Sequence, residues 1–212
     1  MKILVYSDVH GNLPAFEKML SVEKDCDAHV CLGDLVNYGP WSNESVDLAL
    51  SLPKSTILMG NHEEDFLRGS YSGSSELVKL FFDSTFPSFE RNGRIEKFLS
   101  TYTYKNFVFS HTIDGKRVYP DTEITLDNNY FIGHSHHQFK YENSDFVLYN
   151  TGSVGQNRSE INICNYLVFD ADTYMVRMGA VDFDIRATLS EMRRLNYPID
   201  CIDYYTNKMR KN

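Results

Sequence analysis

Ala28-His29-Val30-Cys31-Leu32-Gly33-Asp34-Leu35-Val36-Asn37-Tyr38-Gly39 reads as an apolar strand over 28–32, stopped by a glycine and followed at once by a carboxylate. Glycine lets the backbone turn at the strand end, which sets Asp34 just beyond it. The same order of features stands on either side. Upstream, residues 2–7 are rich in β-branched and aromatic types, as in a strand buried on both faces, and lead into Asp8-Val9-His10. Downstream, Ser55–Met59 leads into Gly60-Asn61-His62. Two helices are expected between these strands. One opens at Asn12-Leu13-Pro14, with Asn12 as its cap and Leu13, Phe16, Met19 and Leu20 as one stripe; the other spans Glu44–Leu52 and is stopped by Pro53. The pattern β-α-β-α-β belongs to a parallel sheet with helical crossovers, so the fold class is α/β. Asp8, Asp34 and Asn61 then fall past the carboxyl ends of successive strands, the edge where open α/β sheets bind ligands.

The chain of 212 residues is long enough for one domain with a sizeable core, and no linker divides it, so residues 1–212 are read as a single domain. With 21 basic and 29 acidic residues the formal charge is −8, which repels a long polyanion, and no Lys/Arg-rich run offers duplex nucleic acid a footprint. A small phosphorylated substrate stays compatible with that charge if bound cations reverse the field locally. The first apolar run reaches Asp8 too soon for a signal peptide or membrane span, so a cytoplasmic protein with no membrane partner is expected. Cys26, Cys31, Cys164 and Cys201 lack Cys-x-x-Cys spacing and read as reduced thiols. The oligomeric state is not encoded in any pattern of this kind.

From about 64 to 100 the pattern turns helical, with Leu77, Leu80 and Phe81 and then Ile95, Phe98 and Leu99 at helix spacing around a Gly69–Ser75 loop. This insert is expected to wall a site. Six strands follow, Phe107–Ser110, Tyr130–Ile132, Gln138–Tyr141, Phe146–Tyr149, Tyr166–Asp170 and Tyr174–Val181, and are expected to form a second sheet face to face with the first. Asp184 is read as the cap of a final helix whose Ile185, Leu189, Met192 and Leu195 point one way.

Asp8 and His10 stand two apart on a segment read as extended, so both project to one side and can grip one ion; the same reading serves His134 and His136. Asp34 reads as a carboxylate shared by two ions, Asn61 as a neutral oxygen donor, and His111 as an imidazole at the end of an aromatic strand. His62, facing elsewhere than Asn61, is left free to act on substrate. Each residue alone has an ordinary reading, as a turn acid, a capping Asn or a hydrogen-bonded core histidine. Together they make two carboxylates, one amide and four imidazoles without a thiolate, a set that suits Mn, Fe, Zn, Co or Ni.

Asp8/His10, Gly33-Asp34, Gly60-Asn61-His62-Glu63, His111 and Gly133-His134-Ser135-His136, in that order, resemble the calcineurin-like metallophosphoesterase superfamily. Asp34-Leu35-Val36-Asn37-Tyr38-Gly39-Pro40 and Asn150-Thr151-Gly152-Ser153-Val154-Gly155-Gln156 resemble its small prokaryotic phosphodiesterase-like branch. The resemblance implies a four-layer sandwich of two mixed β-sheets flanked by helices. It also implies one divalent ion on Asp8, His10, Asp34 and His136 and a second on Asp34, Asn61, His111 and His134. Two such ions outweigh the charge of Asp8 and Asp34, which favours a bridging hydroxide that attacks a phosphodiester or small nucleotide-like phosphate ester. His62 is the catalytic residue expected beside Asp34, protonating the leaving group or stabilising its charge, with Glu63 orienting its ring. Asn37 and Arg158 are the expected substrate contacts. In the phosphoprotein phosphatases of the superfamily an arginine follows Gly-Asp; here Asn37 and Tyr38 hold that region. A phosphomonoesterase, a dinucleoside polyphosphate hydrolase and a binding scaffold are the alternatives, although the retromer subunit that resembles the family lacks the histidine matching His62.

Overall fold

Alternation along the first strand assigns the layers. In the computed structural model, which describes residues 1–209, Ile3 and Val5 face one side of that strand and Leu4 and Tyr6 the other, and all four are buried. The elements run β1 (Lys2–Tyr6), α1 (Leu13–Val22), β2 (Ala28–Cys31), α2 (Ser42–Ser51), β3 (Ser55–Ile57), α3 (Asn61–Arg68), α4 (Glu76–Thr85), α5 (Asn92–Ile95), β4 (Thr101–Tyr104), β5 (Phe107–Ser110), β6 (Asn129–Ile132), β7 (Gln138–Glu142), β8 (Val147–Thr151), β9 (Ile163–Asp170), β10 (Met175–Asp182), α6 (Arg186–Arg194) and α7 (Ile199–Asn207). They form two mixed five-stranded sheets, ordered β10-β9-β1-β2-β3 and β4-β5-β6-β8-β7. In the first, β1, β2 and β3 are parallel, with β9 and β10 added antiparallel; in the second, β5, β6 and β8 are parallel and the edges antiparallel.

Between the sheets, Ile3, Val5, Val30, Leu32, Leu167 and Phe169 meet Phe107, Phe109 and Phe131. Each fully buried side chain of this size contributes about 1.5–3 kcal/mol. On the far side of the first sheet, Leu4, Tyr6, Cys31, Tyr166 and Val168 pack against Phe16 and Met19 of α1, Val46 and Ala49 of α2, and Leu189, Met192, Cys201 and Tyr205 of α6 and α7. The far side of the second sheet, through Ile132, Phe139 and Leu148, is covered by Val118 and Leu126 of the irregular stretch between β5 and β6. Among the described residues no helix is long and apolar enough to cross a membrane.

Three expectations are corrected here. β9 and β10 join the first sheet, not the second, with β9 pairing along β1. The reason is burial: Ile163 to Phe169 are covered on both faces, and the first sheet is the one sandwiched between helices and its partner sheet. Asn12 stands at the N-cap position of α1 as expected, but its side chain makes no capping hydrogen bond; its Nδ2 donates to the Gly155 carbonyl at 3.1 Å and its Oδ1 accepts from Thr188 Oγ1 at 3.0 Å, which ties the first loop to α6. Two helices, not one, end the described chain, and β4 precedes the strands expected for the second sheet.

Candidate metal centre

The chemistry-bearing residues gather where β1, β2, β3, β5 and β6 end. Asp8, His10, Asp34, His134 and His136 are not extended: each has left-handed backbone, with φ of 57°, 51°, 58°, 67° and 61°. Such conformations cost a non-glycine residue of order 1–3 kcal/mol and persist only where the surroundings impose them. Here hydrogen bonds lace two loops together: Asp8 N–H donates to Gly33 O (3.0 Å), His10 N–H to Asp34 O (3.0 Å) and Gly11 N–H to Leu35 O (2.8 Å). Glycines let the carboxylates pack this tightly. A Cβ on Gly60 would strike the Asp34 carboxylate, and one on Gly133 would strike Ser7 and the Asp8 carboxylate.

The turns divide the candidate ligand atoms into two groups. Asp8, His10, Asp34 and His136 form one and Asp34, His111 and His134 the other, the atoms within each lying within 4.8 Å of one another. Asn61 Oδ1, 3.2 Å from His111 Nε2, adds to the second group. His134 and His136, read from sequence as a pair on one ion, therefore face different groups. Each carboxylate divides its labour. Asp34 Oδ1 accepts from His62 N–H (2.9 Å) while Oδ2 faces His111 Nε2 (3.2 Å); Asp8 Oδ2 accepts from His134 N–H (3.0 Å) while Oδ1 lies 3.1 Å from His136 Nε2.

A cation fits this arrangement better than protons do. His10 Nδ1 faces the Val36 carbonyl at 3.0 Å and His136 Nδ1 the Gln156 carbonyl at 2.8 Å, so each Nδ1 must carry the hydrogen. In the neutral rings each Nε2 is then a bare lone pair, and the two lie 3.2 Å apart with no proton to share. Asp8 Oδ1, fully buried, has no hydrogen-bond partner. A positive ion between them satisfies all three atoms.

Electrostatics agree. Burial opposes ionisation of Asp34, but His111 and the other imidazoles outweigh it and hold the carboxyl well below its usual range. Burial also opposes charge on His111, yet Asp34 pulls its pKa up to about 10. Burial pushes His136 and His134 down to about 4 and His62 to about 3, keeping those rings neutral.

Glu63 does not orient His62. It accepts from four backbone N–H groups, those of Asp34 (2.8 Å), Leu35 (2.7 Å), Val36 (3.3 Å) and Gly60 (2.9 Å), and so joins the β2 loop to the start of α3. Asn37 orients His62 instead. Its Oδ1 accepts from Tyr38 N–H at 2.7 Å, which turns its Nδ2 toward His62 Nδ1 at 2.9 Å. His62 Nδ1 is thus the acceptor, and Nε2 carries the hydrogen. With its amide spent this way and fully buried, Asn37 is not placed to meet a phosphate, contrary to expectation.

His62 opens into a cavity of about 270 Å³, lined also by Asp34, Tyr38, Asn61, His134, His136, Arg117 and Arg158. A second cavity of about 390 Å³ lies on the other side of Asn61 and His134, against Met59, Glu64, Phe98, Ser110 and Thr112. Arg158 is half-buried, its Nη1 donating to Tyr204 Oη at 3.0 Å. Arg117, which no motif singled out, donates from Nε to His134 Nε2 at 3.1 Å. It sits alone in the Asp114-Gly115-Lys116-Arg117 loop, and only the fold brings it to the centre.

The calcineurin-like phosphoesterase family matches over residues 1–154. The uncharacterized protein MJ0912 of Methanocaldococcus jannaschii is 26% identical over 242 residues, covering 92% of this chain and 93% of that protein. The phosphodiesterase YfcE of Escherichia coli K12 is 26% identical over 180 residues, covering 83% of this chain and 91% of the other. The crystal structure of a metallophosphoesterase from Sphaerobacter thermophilus shares the fold over 99% of both chains, with a TM-score of 0.83 at 23% identity.

Proposed function

This chain belongs to the calcineurin-like phosphoesterase family, and on that premise we propose that it hydrolyses a phosphodiester or small nucleotide-like phosphate ester. The observation that carries the reading is the pair of facing Nε2 lone pairs beside the unpartnered Asp8 Oδ1, a buried arrangement that asks for a cation. Asp8, His10, Asp34 and His136 would hold one divalent ion and Asp34, Asn61, His111 and His134 the other, from among Mn, Fe, Zn, Co and Ni. When bound, such ions supply Lewis-acid polarisation of the phosphoryl oxygens and activation of water near neutral pH.

The chain's own contribution is position and a hydrogen bond. The water oxygen bonds to phosphorus as the ester P–O bond breaks, and charge grows on the leaving oxygen. His62 stays neutral and offers Nε2–H to that oxygen, since Asn37 occupies Nδ1. Stabilising the leaving charge is therefore its role, and the proton that completes the alcohol comes from solvent. Cavities on both sides of Asn61 and His134 give room for two substituents on phosphorus, which favours a diester over a monoester.

Hydrolysis of bis(p-nitrophenyl) phosphate and of p-nitrophenyl phosphate, assayed across Mn, Fe, Zn, Co and Ni after chelation, tests this. Turnover of the diester should exceed that of the monoester, vanish on chelation and return with metal. No turnover with any of these ions would overturn it and leave a scaffold of the same fold.

A further inference from the structure

Arg158 and Arg117 line the same cavity as the ligand groups, and among the described residues neither forms an ion pair with a carboxylate. Every other arginine in the described residues that the site does not use, except Arg193, has one: Arg68 with Asp65, Arg91 and Arg94 with Asp47, Arg177 with Glu23, Arg186 with Asp184 and Arg194 with Glu191. Arg158 is half-buried and leans only on phenols, its Nη1 on Tyr204. Burying a guanidinium without a counter-charge is costly, so the position calls for an anion from outside. The one carboxylate in that lobe other than Asp34, Asp65, is committed to Arg68 and to Ser72 N–H and Oγ.

The charge count exceeds what one diester can answer. Two divalent ions against Asp8, Asp34 and a hydroxide leave about one positive charge, and the two arginines raise that to about three, whereas a phosphodiester brings about one negative charge. The opposite lobe has no lysine or arginine in its lining and carries Glu64 beside Met59 and Phe98, so it offers an anion no cationic side chain beyond the candidate-ligand histidines. Resting on the phosphoesterase reading, we infer that the substrate carries a second phosphoryl group beside the one attacked, held in the Arg117/Arg158 lobe, while an uncharged arm lies in the Met59/Phe98 lobe. Arg117 is freed for this by ligation itself. If His134 binds an ion through Nδ1 its hydrogen moves to Nε2, where it meets Arg117 Nε–H and breaks that contact.

Calorimetric binding to the metal-loaded protein tests the inference without turnover, using α,β-methylene adenosine 5′-diphosphate and adenosine 5′-phosphate as the probes. The diphosphate analogue should bind roughly 10- to 100-fold more tightly, from charge-assisted hydrogen bonds to its second phosphoryl group. Arg117→Met, at an exposed position, and Arg158→Gln should each bring the ratio toward one, with the melting transition and metal content checked beside the wild type. A ratio near one in the wild type would overturn the inference. So would a ratio that survives either substitution, since chelation of the metal or contact with the attacked phosphate alone would leave it unchanged. Failure of the hydrolase reading is seen separately, as absence of bis(p-nitrophenyl) phosphate turnover.

Discussion

Asn37 decides which nitrogen of His62 carries the hydrogen, and so what His62 can do. With Nδ1 receiving from the Asn37 amide, the ring presents Nε2–H. Asn37→Asp replaces that donor by an acceptor, draws the hydrogen to Nδ1 and leaves Nε2 a bare lone pair. Turnover of bis(p-nitrophenyl) phosphate should fall by about 10²–10³, as when a donor to developing negative charge is removed. His62→Ala should cost about as much, and more for an alkyl than for a nitrophenyl leaving group, because nitrophenolate needs less help. Metal content measured by elemental analysis should stay at the wild-type value in both; equal activity of Asn37→Asp and wild type would refute the tautomer. The residues that the fold gathers into the two groups were legible in the sequence because Asp, Asn and His at strand ends form a recognisable order of blocks. The left-handed backbone of Asp8 and His10 was not, because the carbonyls of Gly33 and Asp34, some 25 residues downstream, accept from their N–H groups. Arg117 gave no sign at all.

Glu63 acts at the scale of elements, fastening the loop after β2 to the N-terminus of α3. Glu63→Gln keeps the size but puts an NH2 group against backbone N–H donors. Each oxygen serves two of the four, so two would lose their acceptor, at about 1–3 kcal/mol each. A denaturant midpoint lowered to match, with weakened metal binding because Asp34 and Asn61 lie at the two ends of this clasp, is the expected outcome. An unchanged midpoint would mean that the clasp contributes nothing. The β1-α1-β2-α2-β3 half was legible from periodicity and from the stops at Gly33, Pro53 and Gly60. Sheet membership of β9 was not, since pairing with β1 joins residues 162 to 168 apart, and no local pattern reports it. The unbroken burial of Ile163 to Phe169 was the available hint that this strand belongs to the sheet covered on both faces.

For the whole molecule, the buried histidines tie stability to pH. In the metal-free protein His62, His134 and His136 are held down to between about 3 and 4, whereas the unfolded chain takes up protons there near 6.5. As pH falls below 6.5 the unfolded state binds more protons, so stability declines toward pH 4. Glu63, raised to about 7, opposes this between about 4.5 and 7, but one group is set against three. His111, raised to about 10, contributes stability that is complete below 6.5 and lost as pH rises through 10. Melting temperature against pH for metal-free protein should therefore peak near neutrality and fall on both sides. A melting temperature rising steadily from pH 7 to pH 4 would contradict this distribution of charge. The net charge of −8, legible at once, set the expectation that duplex nucleic acid is repelled, yet it concealed the cationic lobe that folding assembles from Arg117 and Arg158.

The proposed convergence of seven side chains on a pair of ions is tested most directly by anomalous scattering from crystals grown with Mn. Two peaks roughly 3.5–4 Å apart are expected, bridged by Asp34, with His10 and His136 on one and His111 and His134 on the other. No peak between the two aspartates, or density there with the histidines turned away, would contradict it.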